Sequence, residues 1–406
     1  TVLDMNYPVI DVEIEEPEPT EQFANDDFYV DILLKFDESE QSENDKVTFS
    51  DNDEPTAEDY EPQSKYYLKW STAYKEACKI IYNKQSKLED FQKAEQLLLN
   101  ESRSGNVLAI QDLGKLYSTD KLGEKDEKKS FSFYEEAFQG FMEIEPDSDF
   151  MFPYEPKFDG QIMKPVNMRS YVWYRIGKMH CYGLGTEQDY AQSFEWFLKS
   201  AHEGNKFAQY SLANLYYYGN GVEKDLSQAF WWYRKSSEQG QPYASYAVAQ
   251  MYSKGEYVAE NKETAQRYYK AALSGFLELE SKDQADDNLY YKLGAMYKNG
   301  LGTEIDIPKA IEYFEKSTEN MWSTYQLGRL YLFGAEELEK DKEKAVEWLT
   351  KSANDGNEYA QNMLDNMAQF ENTILANTIF ALFANLCKCI EDDYTQKYKS
   401  VRHTVD

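Results

Sequence analysis

The chain has 406 residues, of which 73 are acidic and 43 basic, and its net charge at pH 7 is −30. A negative field of this size repels phosphate backbones, so direct binding to nucleic acid is disfavoured and basic partners are favoured. Four cysteines without a CxxC pair predict reduced thiols in a cytoplasmic protein rather than a disulfide framework.

The chain begins with an acidic arm, residues 1–65, which is predicted to be largely disordered because it is rich in charge and poor in aliphatic residues. Residues 1–64 hold 21 Asp or Glu against two Lys. Within the arm, the segment FYVDILLKF has an apolar residue at every second position, namely Phe28, Val30, Ile32, Leu34 and Phe36. This alternation is typical of a strand or an extended peptide. It predicts either a short strand folded onto the rest of the chain, or a linear motif that docks elsewhere or occupies the chain's own groove.

Beyond the arm, six copies of one unit follow, represented by LANLYYYGNGVEKDLSQAFWWYRKSSEQG at 212–240. The equivalent anchor residues His180, Tyr216 and Tyr252 are 36 apart, and Tyr297 and Tyr331 are 34 apart. Each copy has two stripes at helical spacing around a turn that usually contains glycine, and Asp225 is the predicted N-cap of the second helix. Such a period predicts antiparallel helix pairs that bury their apolar faces against neighbouring pairs.

The copies resemble the Sel1-like repeats, relatives of the tetratricopeptide repeats, and 208–240 match nearly every anchor of that pattern. The resemblance implies an all-α, right-handed superhelix over 107–370. A degenerate helix pair is predicted before it at 66–106, a capping helix after it at 371–392, and a polar tail at 393–406. The resemblance also implies a non-catalytic scaffold or adaptor that binds a protein or peptide on a concave face.

Catalysis, metal binding and membrane insertion have no support in the sequence. The three histidines share no ligand spacing with a cysteine or a carboxylate, and the glycine pairs lack the ending of a phosphate-binding loop. The most apolar segment, 374–390, is 17 residues long and contains two Asn and one Lys, so it is too short and too polar to span a bilayer. We therefore expect no enzymatic activity, no cofactor and no metal.

Aromatic residues beyond those needed for packing mark the predicted partner site. The spacing assigns Tyr216 on the first helix, and Ala229, Tyr233 and Ser237 on the second, to the core stripes. The surplus rings are Tyr217, Tyr218 and Trp231, and the excursion at 146–168 adds Phe152 and Tyr154. Exposed rings of this kind anchor peptides on repeat surfaces, although packing inside the array is the alternative interpretation.

Two narrower hypotheses concern the partner. The entry segment KYYLKWSTAYKEACKIIYNKQS and the repeats after it resemble the non-catalytic tails of relaxases from bacterial mobilisable elements, which implies recruitment of DNA-transfer components. Alternatively, the clustered carboxylates of the arm mimic a nucleic acid and occupy a basic groove on a DNA-binding partner.

Overall fold

The computed structural model describes residues 65–83, 86–145, 157–158, 161–162, 168–282, 285–335, 338–369 and 382. The arm with its 28–36 segment, the rings of Phe152 and Tyr154, almost all of the expected capping helix and the tail lie outside these residues. The chain divides into two units, one ending at Ala285 and one beginning at Asp286.

The first unit consists of five pairs of contacting helices, in each of which a first helix is followed by a second helix. The pairs are α1 (Thr72–Tyr82) with α2 (Leu88–Arg103), α3 (Val107–Tyr117) with α4 (Glu127–Ile144), α5 (Met168–Tyr182) with α6 (Tyr190–His202), α7 (Lys206–Tyr218) with α8 (Leu226–Glu238), and α9 (Pro242–Lys254) with α10 (Lys262–Ser281). Within this unit, second helices also contact the next first helix, as α6 contacts α7 and α8 contacts α9.

The second unit contains α11 (Asp287–Asn299) with α12 (Ile307–Lys316) and α13 (Met321–Phe333) with α14 (Lys342–Asn354), followed by helical residues 358–369. The predicted all-α class is therefore confirmed.

The excursion at 146–168, which belongs to the first unit, contains a small hairpin that the sequence did not predict, with β1 (Lys157–Phe158) antiparallel to β2 (Gln161–Ile162). Asp-Gly, the pair between these strands, is favoured in two-residue hairpin loops.

The turn inside each pair is built as the sequence predicts. The side chain of Asp225 accepts hydrogen bonds from the backbone N–H groups of Ser227 and Gln228, which confirms it as the N-cap of α8. The same capping position recurs at the start of each second helix from α4 onward, at Asp126, Asp189, Asp225, Asn261, Asp306 and Asp341.

The two glycines of the turn have different roles. Gly219 ends α7 in the left-handed region, with φ of 77°, where a residue with a Cβ is disfavoured. Gly221 also has a positive φ, and a Cβ on it would lie 2.3 Å from the carbonyl carbon of Tyr190 in the preceding second helix. The second glycine therefore lets neighbouring repeats approach at backbone distance, in addition to forming the turn.

The buried stripe of α8 differs from the sequence-based assignment. Its members are Ala229, Trp232, Tyr233 and Ser236, at helical positions i, i+3, i+4 and i+7. Ser237 is only half-buried. It stands eight residues after Ala229, and because two turns of a helix take only 7.2 residues, its side chain points away from the buried stripe. Tyr216, assigned to the core from the sequence, is also half-buried, and its ring packs edge-on against Phe194 at 5.3 Å.

A buried serine links the two helices in four of the pairs. The Ser236 hydroxyl donates to the backbone carbonyl of Lys206 at 2.7 Å, at the start of the first helix of its own pair. Ser200, Ser317 and Ser352 make the same bond to Ser170, Asp287 and Met321 at 2.6–2.7 Å. These side chains are fully buried.

We expect Ser236→Ala to lower the free energy of unfolding by about 1–3 kcal/mol, because it leaves a carbonyl without its buried donor. Ser237→Ala is the matched control. Its hydroxyl bonds only to the hydroxyl of Ser245 in a half-buried position, so a loss below about 1 kcal/mol is expected. Urea titration of both variants measures the difference, and equal losses would remove the special role of the buried serine.

Candidate protein-binding surface

Each first helix contacts its own second helix on the side that is marked by a glycine in α3 and α5. Gly177 marks the inward side of α5, since a Cβ there would lie 2.7 Å from the ring of Phe197 on α6. Gly114 faces Tyr134 of α4 in the same way. The glycine stands three residues before the repeat's anchor residue, which is His180 in α5. Successive residues of a helix are about 100° apart. Three positions therefore lie about 100–160° around the helix from the glycine: five residues before the anchor, two residues before it and two residues after it.

These three positions define what we call the first-helix face of the first unit. Its members are Asp112, Lys115, Arg175, Lys178, Tyr182, Ser211, Asn214, Tyr218, Ala247, Gln250 and Lys254. Five of them, Asp112, Arg175, Lys178, Ser211 and Asn214, are buried, and Asn214 accepts a hydrogen bond from the Tyr233 hydroxyl of its own second helix. The helices that carry them lie side by side, because ring pairs join α5 to α7 (Tyr174 and Phe207, 6.2 Å) and α7 to α9 (Tyr210 and Tyr243, 6.1 Å). The face is therefore a continuous row across these helices.

Two basic side chains of α5 lie at its centre. Arg175 is 1% exposed, its Nε donates to the side-chain oxygen of Gln111 at 3.0 Å, and its guanidinium lies 5.6 Å from the Tyr171 ring. Lys178 is 3% exposed, with its ammonium 5.3 Å from the Tyr182 ring. Charged groups in so dry an environment interact more strongly with an opposite charge than the same groups in water.

Charge is distributed unevenly between the two rows of helices in the first unit. The first helices α3, α5, α7 and α9 carry six basic side chains and one acidic side chain, Asp112. Their partners α4, α6, α8 and α10 carry eight basic and nine acidic side chains. Burial lowers the pKa of Lys206 to about 8, so this member of the set still carries its charge at pH 7. The first helices are thus basic within a strongly acidic chain.

The second unit repeats the pattern independently. Lys292 and Gln326, which stand five residues before the anchors of α11 and α13, are both buried. Two residues before the anchor of α13 stands Arg329, which lies 5.7 Å from the Tyr325 ring and whose pKa is lowered by burial. The polar position is therefore a property of the repeat rather than of one helix.

Two of the predicted site residues are neighbours at the end of α7, but only Tyr218 belongs to the first-helix face, because the Tyr217 ring packs 6.3 Å from Tyr233 of its own second helix. The rings of Tyr217 and Tyr218 meet edge-on at 5.0 Å, and Tyr218 is 46% exposed. The Tyr217 hydroxyl donates to the carboxylate of Glu256 at 2.8 Å, just after α9. This bond joins two consecutive helix pairs next to the first-helix face.

Trp231 does not belong to the same surface, which corrects the sequence-based grouping. On α8, Tyr233 packs against Tyr210 of the first helix, while Trp231 lies about 160° around the helix from Tyr233. Trp231 is 49% exposed on the outer side, next to Lys235. Adjacent rings in a helical sequence point in different directions, so WWY divides between the core and the outer surface.

Arg175 and Lys178 are not among the site residues predicted from the sequence, because that prediction rests on aromatic side chains. The signal was present in the alignment of copies: the position five residues before the anchor holds Asp112, Arg175, Ser211, Ala247, Lys292 and Gln326. A polar residue stands at five of these six equivalent positions, and all five side chains are buried.

The described residues contain no group of three or more His, Cys, Asp or Glu side chains able to hold a metal ion. His180, at an anchor position, packs edge-on against Phe138 at 5.1 Å, and burial lowers its pKa. Cys78 and Cys181 are buried, and the Cys78 thiol donates to the carboxylate of Asp112 at 3.4 Å. In the part of the chain that the structure covers, no helix combines the length and apolar character of a membrane span.

The stacked helix pairs define the chain as an α-helical repeat protein. The family model of the Sel1 repeat matches it at 107–140, 174–205, 206–241, 242–275, 289–320 and 323–357, which together make up half of its length. The chain belongs to the Sel1-repeat family, and the six copies predicted from the sequence are confirmed.

Individual relatives are more distant. The Sel1-repeat-containing protein YjcO of Escherichia coli K12 is 35% identical over 103 residues, which are 24% of this chain and 44% of YjcO. The chain thus spans less than half the length of the curated relatives it matches. Among solved structures, a Sel1 repeat protein from Oxalobacter formigenes is 24% identical, with 57% of this chain and 82% of that chain covered and a TM-score of 0.42. A protective antigen of uropathogenic E. coli is also 24% identical, with 67% of each chain covered and a TM-score of 0.32.

Proposed function

We propose that this chain is a protein-interaction scaffold whose first-helix face binds an extended, acidic segment of a partner protein. Sel1-repeat proteins typically serve as interaction scaffolds, and the repeats of this chain stack as helix pairs in the same way. Binding is the function that this arrangement supports best.

The observation that carries the proposal is the charge of the first-helix face. Lys254 is exposed and Lys115 half-buried on this face, whereas Arg175, Lys178 and Asp112 are buried, and the whole chain has a net charge of −30. The tyrosines beside these cations, Tyr182 and Tyr218, supply apolar contact area with little loss of side-chain entropy. Cations interspersed with rings fit a ligand in which carboxylates and apolar side chains alternate.

We expect Lys254→Glu to weaken binding of such a ligand about tenfold at low salt, because it replaces attraction with repulsion at the exposed edge of the face. The probe is a fluorescein-labelled peptide in which Asp or Glu alternates with Phe or Ile, and fluorescence anisotropy measures its dissociation constant. The full chain carries each substitution, so the arm is present in every sample.

Lys235→Glu is the matched control. It makes the same change in net charge on an exposed lysine, but on the outer side of α8, next to Trp231. Less than a twofold effect is expected there. Equal weakening by the two substitutions would show that the peptide responds to the overall charge of the protein, and the proposed surface would be lost.

The two narrower hypotheses about the partner remain predictions. Recruitment of DNA-transfer components, as the resemblance to relaxase tails implies, concerns which protein supplies the acidic segment. Mimicry of a nucleic acid rests on the arm, which lies outside the described residues, and it predicts a basic partner rather than an acidic one. The two hypotheses predict ligands of opposite charge. Preference of the chain for an acidic ligand supports scaffold binding, whereas preference for a basic ligand supports mimicry.

A further inference from the structure

We propose that Glu256 is a positioning residue for the partner site: acting through the Tyr217 ring, it fixes the exposed Tyr218 ring in the orientation that binds. The inference rests on the proposed function, since Tyr218 is the aromatic anchor of the first-helix face. It gives the two adjacent tyrosines different roles, because Tyr218 contacts the partner whereas Tyr217 and Glu256 hold Tyr218 in place.

A hydrogen bond between consecutive helix pairs restrains the Tyr217 ring. Its hydroxyl donates to the Glu256 carboxylate at 2.8 Å, and both side chains are half-buried. The ring also lies 6.3 Å from the Tyr233 ring of α8 and 5.5 Å from the Lys224 ammonium in the turn before α8. A hydrogen bond to a charged acceptor is stronger than one between neutral groups. The Tyr217 ring is therefore held by three elements, which are α8, the turn before α8 and the turn after α9.

The restrained Tyr217 ring is the surface against which Tyr218 rests. The two rings meet edge-on, with centroids 5.0 Å apart and an interplanar angle of 81°, which is a preferred geometry for aromatic pairs. Tyr218 is 46% exposed. An exposed side chain loses conformational entropy when it binds a partner, and a neighbour that already restricts it reduces this loss. Glu256 thus contributes to binding without contacting the ligand.

Tyr217 and Glu256 depart from the repeat pattern together. Tyr217 directly follows the anchor of its copy, where the other copies have Ser118, Cys181, Ser253, Lys298 and Leu332. Glu256 directly follows the glycine that ends α9, and the residues after the equivalent glycines are Leu184, Asn220, Leu301 and Ala335. A tyrosine at the first position and a carboxylate at the second thus occur at one joint between copies, where they bond to each other.

Backbone strain beside Glu256 supports the same role. Tyr257 has a φ of 61°, and among the described residues it is the one non-glycine residue with a positive φ. In the preceding turn the equivalent residue is Gly221, which has no Cβ to disfavour this backbone. Contacts with α8 hold Tyr257 there, because its ring is 5.7 Å from the Phe230 ring and its hydroxyl is 3.2 Å from that of Ser227. The turn is attached to both helices of the preceding pair, so its strained conformation keeps the carboxylate in place.

Substitutions at Glu256 test the proposal, because charge and positioning predict opposite results for an acidic ligand. Fluorescence anisotropy with the acidic probe peptide measures the affinity of the full chain. We expect Glu256→Ala to weaken binding about three- to tenfold although it removes a negative charge, since Tyr218 regains its freedom. Glu256→Gln keeps a hydrogen-bond acceptor for the Tyr217 hydroxyl, so its affinity should lie within twofold of the unmodified chain or exceed it.

Two further variants complete the design. Glu260→Ala is the matched control, because it removes the same charge from an exposed residue of the same turn that pairs with Lys262, and less than a twofold change is expected. Tyr217→Phe removes the other partner of the hydrogen bond. It should weaken binding as much as Glu256→Ala does, and the double variant should be no weaker than either single one, because both changes remove one interaction.

The proposal is overturned if Glu256→Ala binds as tightly as the unmodified chain, or if Glu256→Ala and Glu256→Gln weaken binding equally. A measurement without ligand separates it from the proposed function. With 3-fluorotyrosine at position 218, the fluorine NMR resonance of the free chain should move in Glu256→Ala and Tyr217→Phe, and much less in Glu256→Gln. A resonance that stays unchanged in Glu256→Ala contradicts positioning. Movement as expected, with no peptide binding to any of the chains, contradicts the scaffold function alone.

Discussion

Gly221→Ala is expected to lower the free energy of unfolding by about 3 kcal/mol or more. The added methyl group would lie 2.3 Å from the Tyr190 carbonyl carbon, a backbone atom of the preceding repeat that cannot rotate away. The left-handed backbone at this position, with φ of 69°, adds about 1–2 kcal/mol for a residue with a Cβ. Overpacking between two repeats adds about 1–3 kcal/mol more.

Gly240→Ala provides the matched control. Its φ is 76°, so the backbone penalty is the same, but no atom lies within 4 Å of the added Cβ. A loss of about 1–2 kcal/mol is expected. Urea unfolding of both variants, followed by circular dichroism, gives the difference. Similar losses for Gly221→Ala and Gly240→Ala would mean that the contact between repeats relaxes freely, contrary to the role assigned to the second glycine.

Tyr218→Ala is expected to reduce affinity for the acidic probe peptide about 10- to 100-fold. Truncation of an exposed aromatic anchor in a binding surface costs about 1–3 kcal/mol. Since almost half of the side chain is exposed, the loss of stability should be small compared with truncation of the buried Tyr233. Anisotropy for binding and urea titration for stability are measured on the same preparations.

Trp231→Ala is the control for this prediction, because Trp231 is as exposed as Tyr218, at 49% against 46%, and lies one helix away in the same repeat. Its position on the outer side of α8 predicts less than a threefold change in affinity. A larger effect of Trp231→Ala than of Tyr218→Ala would place the ligand on the second helices and would restore the grouping predicted from the sequence.

Local rules were sufficient to predict the fold from the sequence. The period of the anchors, the capping Asp225 and the glycines of the turn each follow from backbone chemistry within one repeat, so six similar copies reinforce one interpretation. The stripe of α8 was misassigned at Ser237 because a simple four-residue spacing ignores the 3.6-residue turn. Gly221 was read only as a turn residue because its second role depends on Tyr190 of the neighbouring repeat.

The candidate surface was only partly accessible from the sequence. Tyr217 and Tyr218 were found because three consecutive tyrosines exceed the need of one stripe. Trp231 was grouped with them because sequence alone does not show which side of each helix remains exposed after stacking. Arg175 and Lys178 were missed because a buried cation is identified by its surroundings, which come from neighbouring helices and become visible only once the pairs are assembled.

The affinity of the full chain for three peptides that differ only in charge tests the central claim most directly. The peptides share alternating Phe and Ile, with Glu, Gln or Lys at the intervening positions, and are titrated at low and high salt. The account predicts that the Glu peptide binds at least about tenfold more tightly than the Gln peptide at low salt, that the Lys peptide binds weakest, and that salt narrows the difference. Equal binding of the Glu and Gln peptides, or preference for the Lys peptide, would contradict the claim that the first-helix face recognises acidic segments.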